Sequence, residues 1–338
     1  MNPIALRFGF WVLAPPLLIA AIGFGLQGLA AANSALFFTW GFFLEVLLAG
    51  LLQGVLYALV ALGFVLIFKA SGIFNFAQGS MVLFAALTLV GFIGMGLHWT
   101  LAFIVTAGVM VLLAMVVEKV VLRPLVNQPH IILFMATIGI FYFLDGFGQM
   151  LWGSDVKMLD IGITKETTFI LEGVFEGGIL VNGFDLVAAL VGAVLVAVLA
   201  VFFQYTRVGR ALRAVADDHQ AALSVGIPLK TIWVIVWSVA GIVALVAGIM
   251  WGSKAGVQFS LALIALKALP VLILGGFTSI PGAIVGGLII GAGEQVAEVF
   301  LGPLVGGAIQ EWFAYMLALI FLLFRPQGLF GERIIERI

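Results

Sequence analysis

Few residues in this chain can do chemistry, and they stand out because 64% of its 338 residues are hydrophobic and only 9% are charged. Asp145 and Lys267 lie inside apolar runs, Glu294 and Glu298 lie toward the end of one, and Glu311 opens another. Where the runs are broken, Asn75 and Gln78 supply amides, and Thr278 and Ser279 supply hydroxyls. An ionised side chain at the centre of a membrane span costs about 2.5–3.5 kcal/mol on insertion scales, so each of these groups should face protein or water. They either line a polar route, or pair across helices, or sit high enough to reach water, as the positions of Glu294, Glu298 and Glu311 toward the outer ends would allow. Glu294 and Glu298 are four apart and so share one helix face.

The missing groups are as informative. His98, His130 and His219 fall in separate loops without metal-ligand spacing, and there is no cysteine, so no metal site or thiol chemistry is expected. No G-x-x-x-x-G-K-[ST] and no G-x-S-x-G occurs. No catalytic residue, cofactor or enzymatic activity is expected, and any energy used must come from another subunit. A net charge of −1 argues against nucleic acid.

A soluble domain has about 25% charged residues, so this composition places the chain in lipid. The expected fold is an all-α polytopic membrane protein of nine to ten hydrophobic segments. These are 10–32, 42–67, 76–97, 99–117, 131–150, 186–203, 232–251, 261–275, 282–300 and 308–324. The 42 glycines suit helices packed closely in a membrane. Residues 1–41 read as an additional N-terminal span, although Ala30-Ala31-Ala32 after an apolar run also resembles a cleavable signal. The core is 42–332, followed by a tail, 333–338. Trp99, Trp152, Trp251 and Trp312 flank spans, where indoles anchor at the interface.

With the N-terminus inside and strict alternation, Arg7, Lys69, Lys119, Arg123, Arg207, Arg210, Arg213, Lys230, Arg325, Arg333 and Arg337 fall on the inner side. That obeys the positive-inside rule and puts both termini in the cytoplasm. The connection 153–185 is then external and acidic, holding Asp155, Asp160, Glu166, Glu172, Glu176 and Asp185. An acidic outer face suits a soluble docking partner, and low basic content is also what translocation favours. The connection 206–230 is internal and amphipathic: Arg207, Arg210, Arg213, Asp217 and Asp218 interleave with Leu212, Val215, Ala222 and Leu223. Gly226 and Pro228 end its helical pattern.

Two breaks resemble each other. Phe74-Asn75 precedes Gly79 as Phe277-Thr278 precedes Gly282, with Phe and Gly five apart in both. The helices that follow end in Leu122-Arg123-Pro124 and Phe324-Arg325-Pro326. An even number of segments separates the pairs, so the internal repeat of interrupted helices is parallel. Matched interruptions in two halves are the best sequence pointer to a transport site.

The same residues carry a resemblance. Gly72-Ile73-Phe74-Asn75-Phe76-Ala77-Gln78-Gly79 resembles the G-x-I-N-F-A-H-G signature of H-type permease subunits of branched-chain amino-acid ABC transporters, with Phe74 and Gln78 departing from it. Glu118-Lys119-Val120-Val121-Leu122-Arg123-Pro124 is similar to that family's E-R-x-x-x-R-P. Residues 274–287 resemble L-G-G-x-G-S-I-x-G-A-x-x-G-G, with Thr278 at the middle glycine, and Arg325-Pro326-Gln327-Gly328 matches the family's tail. The resemblance implies a second, M-type permease subunit, two cytoplasmic ATP-binding subunits and an external substrate-binding protein around a bacterial inner-membrane permease. Gln220-Ala221-Ala222 to Gly226 is similar to the E-A-A-x-x-x-G coupling loop of importers, with glutamine for the acid. The resemblance therefore implies ATPase coupling through Arg213, Asp217, Gln220, Ala221, Ala222 and Gly226, with small residues such as Ala222 seating in a cleft. A pathway through Asn75, Gln78, Asp145, Lys267, Thr278 and Ser279 accompanies it. Other cargoes (urea, short amides, aromatic acids) and ion-coupled secondary transport through Asp145 or Glu294 are the competing readings.

Overall fold

The computed structural model of the chain describes residues 3–33, 36–125, 128–175, 178–217, 222, 224 and 226–331. The expected apolar segments all form helices. In chain order these are α1 (Pro3–Ala32), α2 (Trp40–Ser71), α3 (Gln78–Gly94), α4 (Trp99–Val116), α5 (His130–Trp152) and α6 (Gly183–Tyr205). They continue with α7 (Arg207–Asp217), α8 (Leu229–Ala255), α9 (Ile264–Gly275), α10 (Ile280–Val296), the single turn α11 (Gly302–Val305) and α12 (Gln310–Phe324). Among the described residues seven helices are long and apolar enough to cross a membrane, and the chain is an all-α polytopic membrane protein. Three shorter apolar helices, Gln78–Gly94, Phe259–Gly275 and Gln310–Phe324, fall below that length.

Helix α2 is the axis of the bundle. From Leu56 to Ile67 nearly every side chain is buried, on all sides of the helix. A helix apolar all round can be either buried or lipid-facing, and what settles it here is glycine. A Cβ placed on Gly54 would strike the Gly287 carbonyl, and one on Gly291 would strike the Gly50 carbonyl and the Gly54 amide. The α2 and α10 backbones therefore touch. In lipid, where no hydrophobic force drives helices together, such close packing is the main source of association. Trp251 is another tie to α2: its Nε1 donates to the Leu56 carbonyl at 3.2 Å and its ring stacks on Tyr57. Buried in this way, Trp251 is not the interfacial anchor its position suggested, while Trp99 and Trp312 remain exposed.

The Glu118–Arg123 pair explains the motif that contains it. The helix widens into a π-turn over Val117–Leu122, which brings residues five apart into line. Arg123 then grips the buried Glu118 with two hydrogen bonds, Nε to Oε1 at 3.1 Å and Nη2 to Oε2 at 2.7 Å. Bidentate pairs of this kind fix geometry as well as adding energy.

The 153–185 connection is not bare loop. Thr167–Ile170 (β1) and Ile179–Asn182 (β2) form an antiparallel hairpin, with Thr167 opposite Asn182 and Ile170 opposite Ile179. Alternation along β2 buries Ile179 and Val181 against Leu52, and the Leu180 N–H donates to Glu45 of α2 at 3.1 Å. Lys157 exchanges backbone hydrogen bonds with Val257, tying this cap to the end of α8.

Candidate functional site

The first break and the 3₁₀ turn that precedes α9 bring two half-helices to one place. Gly72, with φ of 67°, caps α2 and reverses the chain, which climbs back until Gln78 lies against Gly63. Gly63 precedes the end of α2 by eight residues, about 12 Å along the axis, so α3 begins inside the bundle. The 3₁₀ turn Phe259–Leu263 descends in the same way: a Cβ on Gly79 would strike the Ala262 carbonyl. The first turns of α3 and α9 are thus side by side. Beside them opens a cleft of about 190 Å³ lined by Phe64, Phe74, Phe76, Phe141, Tyr142, Ala262, Leu263, Ala265, Leu266 and Leu269. A cavity of roughly 150 Å³ holds a benzene ring, so there is room for an aliphatic side chain.

Asn75 and Gln78 are fully buried at the start of α3. Asn75 Oδ1 accepts from the Ala77 N–H at 3.1 Å, its Nδ2 donates to Gln78 Oε1 at 3.4 Å, and Gln78 Nε2 has no hydrogen-bond partner among the described residues. Thr137 of α5 accepts from the Phe76 N–H at 3.1 Å, holding the climbing segment to the neighbouring helix. The second break meets the first through Phe277, whose ring is 6.3 Å from that of Phe74. Ser279 there accepts from the Gly282 N–H at 3.0 Å and caps α10, and Thr278 is half-buried beside it.

The other two expected path residues separate. Asp145 stays on the cleft side of α5, half-buried, one turn above Phe141 and accepting from Gln149 Nε2 at 3.5 Å. Lys267 is 3.8 Å from Glu294 and 3.4 Å from Glu311, so it joins α9 to α10 and α12 rather than standing free in a channel. Glu294 is buried and accepts from the Tyr57 hydroxyl at 2.9 Å. Glu298 accepts from the N–H groups of Ala308 and Gln310, closing the turn into α12. The sequence did not single out Phe64, Phe141 or Tyr142, nor the 3₁₀ turn. The available signal was the shortness of 261–275, too few residues to span a bilayer alone.

The expected coupling surface is described in part. Helix α7 buries Leu212 and Val215 and exposes Arg207, Arg210 and Arg213. Arg210 donates to the Tyr205 carbonyl at 3.3 Å and Arg213 to that of Gln204 at 3.5 Å, where the end of α6 leaves carbonyls unpaired. Gly226, with φ of 84°, is exposed and terminates the segment, and the Ile227 N–H returns to the Ala222 carbonyl. Ala222 is 2% exposed and packs into the core. Gln220 and Ala221 lie outside the described residues, as does the side chain of Asp217.

Residues 46–325 match the family described as branched-chain amino acid transport system / permease component. The chain is 29% identical over 307 residues to the high-affinity branched-chain amino acid transport system permease protein BraD of Pseudomonas aeruginosa, covering 88% of this chain and 98% of that one. It is 28% identical over 309 residues to the corresponding LivH protein of Escherichia coli K12, with the same coverage. Among solved structures, PsaBC from Streptococcus pneumoniae in complex with Fab is 17% identical with a TM-score of 0.45, covering 83% of this chain and 92% of that one.

Proposed function

The chain belongs to the permease-component family of branched-chain amino-acid transport systems, and from that premise we propose that it is the H-type permease subunit of an ATP-driven importer in a bacterial inner membrane. Its substrates are branched-chain or closely related amino acids. A second permease completes the path, two cytoplasmic ATP-binding subunits supply the work, and an external protein delivers substrate. Both termini lie in the cytoplasm.

The observation that carries this reading is the pair of half-helices whose first turns meet beside an aromatic cleft. Transporters place substrate where helices are interrupted, because irregular backbone is tolerated at membrane depth only where it is covered by protein or lines a cavity. The cleft walls are hydrocarbon and aromatic rings, which suit an aliphatic side chain. Asn75, Gln78, Thr278 and Ser279 lie at the breaks, and Asp145 lies above the cleft on the outward side. Work enters through α7 and the turn at Gly226: Arg207, Arg210 and Arg213 offer charge to a partner, and the packing of Leu212 and Val215 beneath them passes movement to α2. The account calls for alternating access, with α7 displacement reaching the bundle as rigid-body tilting.

The test is made on the complex in detergent. It should contain a second permease and two ATP-binding subunits, and a double variant Arg210→Glu, Arg213→Glu should retain the second permease while losing ATP-binding subunits at least tenfold. Retention of the ATP-binding subunits by that variant would remove α7 from the coupling role.

A further inference from the structure

The membrane-facing surfaces of this protein are of two kinds. The outward residues of α6, among them Leu190, Val194 and Val198, are hydrocarbon, and so are those of α4, such as Leu101, Ile104 and Leu112. Such surfaces suit lipid tails. The sector formed by α5, α9 and α12 differs. On α5, Asp145 and Gln149 follow Tyr142 along one flank, and Tyr142 is 69% exposed. At 1.5 Å per residue, Asp145 is roughly 10 Å inside the Trp152 end of its helix, within a hydrocarbon layer about 30 Å thick. Across the cleft, the 3₁₀ turn exposes Leu263 and α9 exposes Leu266. Helix α12 is joined to that edge by the Tyr315 hydroxyl, which donates to the Leu266 carbonyl at 2.7 Å, and it exposes Glu311 one turn earlier.

We infer that this α5–α9–α12 sector is the surface on which the second permease subunit seats. The inference rests on the functional reading above and adds to it the face and the chemistry of the contact. A carboxylate at the depth of Asp145 is expensive against lipid, and groups that expensive face protein or water. The formal charges of the sector do not balance internally: Lys267 stands against Glu294 and Glu311, and Asp145 has no cation within ion-pair distance among the described residues. The partner face therefore carries basic side chains or hydrogen-bond donors at the same depth. A subunit seated here also closes the open side of the cleft, so that the space between Tyr142 and Leu263 becomes an enclosed passage between two permeases instead of a groove open to lipid.

The chain contains no cysteine, so a single introduced thiol is the one attachment point on this chain for a benzophenone-maleimide photocrosslinker, fitted to the purified subunit before the complex is assembled. Complexes in lipid nanodiscs carry Tyr142→Cys or Leu263→Cys on the proposed face, and Val194→Cys on α6 or Ile104→Cys on α4 as comparison. Irradiation should shift this chain to the summed mass of two permeases from Tyr142→Cys and Leu263→Cys, with mass spectrometry identifying the second permease. The α4 and α6 sites should yield lipid adducts only. Permease adducts from α4 or α6 with none from the proposed face would overturn the assignment, and so would adducts to a second copy of this chain. Complexes that hold no second permease before irradiation would overturn the functional reading and this inference together, which separates that failure from a misplaced face.

Discussion

After Gly72 the chain climbs back beside α2 for several residues before α3 begins, whereas after Gly276 it turns almost at once into α10. The two turns share the spacing of a phenylalanine five residues before a glycine, and their phenylalanine rings meet. They are held in different ways. The first is tied by side chains: the Asn75 carboxamide bonds to the Ala77 N–H and to Gln78, and Thr137 reaches across from α5. The second is tied by backbone. Gly275 and Gly282 approach so closely that a Cβ on either would strike the other's carbonyl, and the N–H groups of Leu329 and Phe330 donate to the carbonyls of Leu274 and Gly275. The first break thus places amides deep in the bundle beside an aromatic cleft, while the second forms a rigid corner at the bundle's end. Like spacing in sequence has produced a buried amide pair in one place and a rigid brace in the other.

Three substitutions sharpen that contrast. The largest effect belongs to the brace: Gly282→Leu must push α9 and α10 apart, at a cost of about 3 kcal/mol from overpacking, and should greatly reduce the monodisperse protein recovered on size exclusion. Asn75→Ala comes next. It strips a buried N–H of its acceptor, which costs about 1–3 kcal/mol, and should lower the thermal midpoint in detergent while uptake falls more than stability does. A stable but transport-competent Asn75→Ala protein would reduce the first break to a structural turn as well. Ser279→Ala is the smallest: loss of an N-cap costs about 1 kcal/mol, visible as a slight midpoint shift with near-normal uptake. Uptake lost in that variant without loss of stability would move the second break from brace to substrate contact.

The helices were legible in the sequence because twenty-residue apolar runs have little else to become. The breaks were legible through Gly72 and Pro281, and the amphipathic internal segment through its arginines. Depth was not. Segments apolar on every face give no sign of which side meets lipid, so the central place of α2 and the peripheral place of α6 could not be told from periodicity. Pairings over long separations were also hidden: nothing local joins Tyr57 to Glu294 or Trp251 to the Leu56 carbonyl. Ala222 shows the limit from the other side, since a small residue in a coupling-like motif is compatible with a docking surface or with tight internal packing. In the fold Ala222 is buried.

On the proposed function, this chain moves amino acids only as part of an ATP-hydrolysing assembly. The direct test is uptake of labelled leucine into proteoliposomes holding the complete complex, with ATP on the side of α7 and the binding protein on the side of the β1–β2 hairpin. Uptake should require both and stop when a non-hydrolysable nucleotide replaces ATP. Leucine accumulation by this chain alone, driven by a proton gradient with no ATP-binding subunit present, would contradict it.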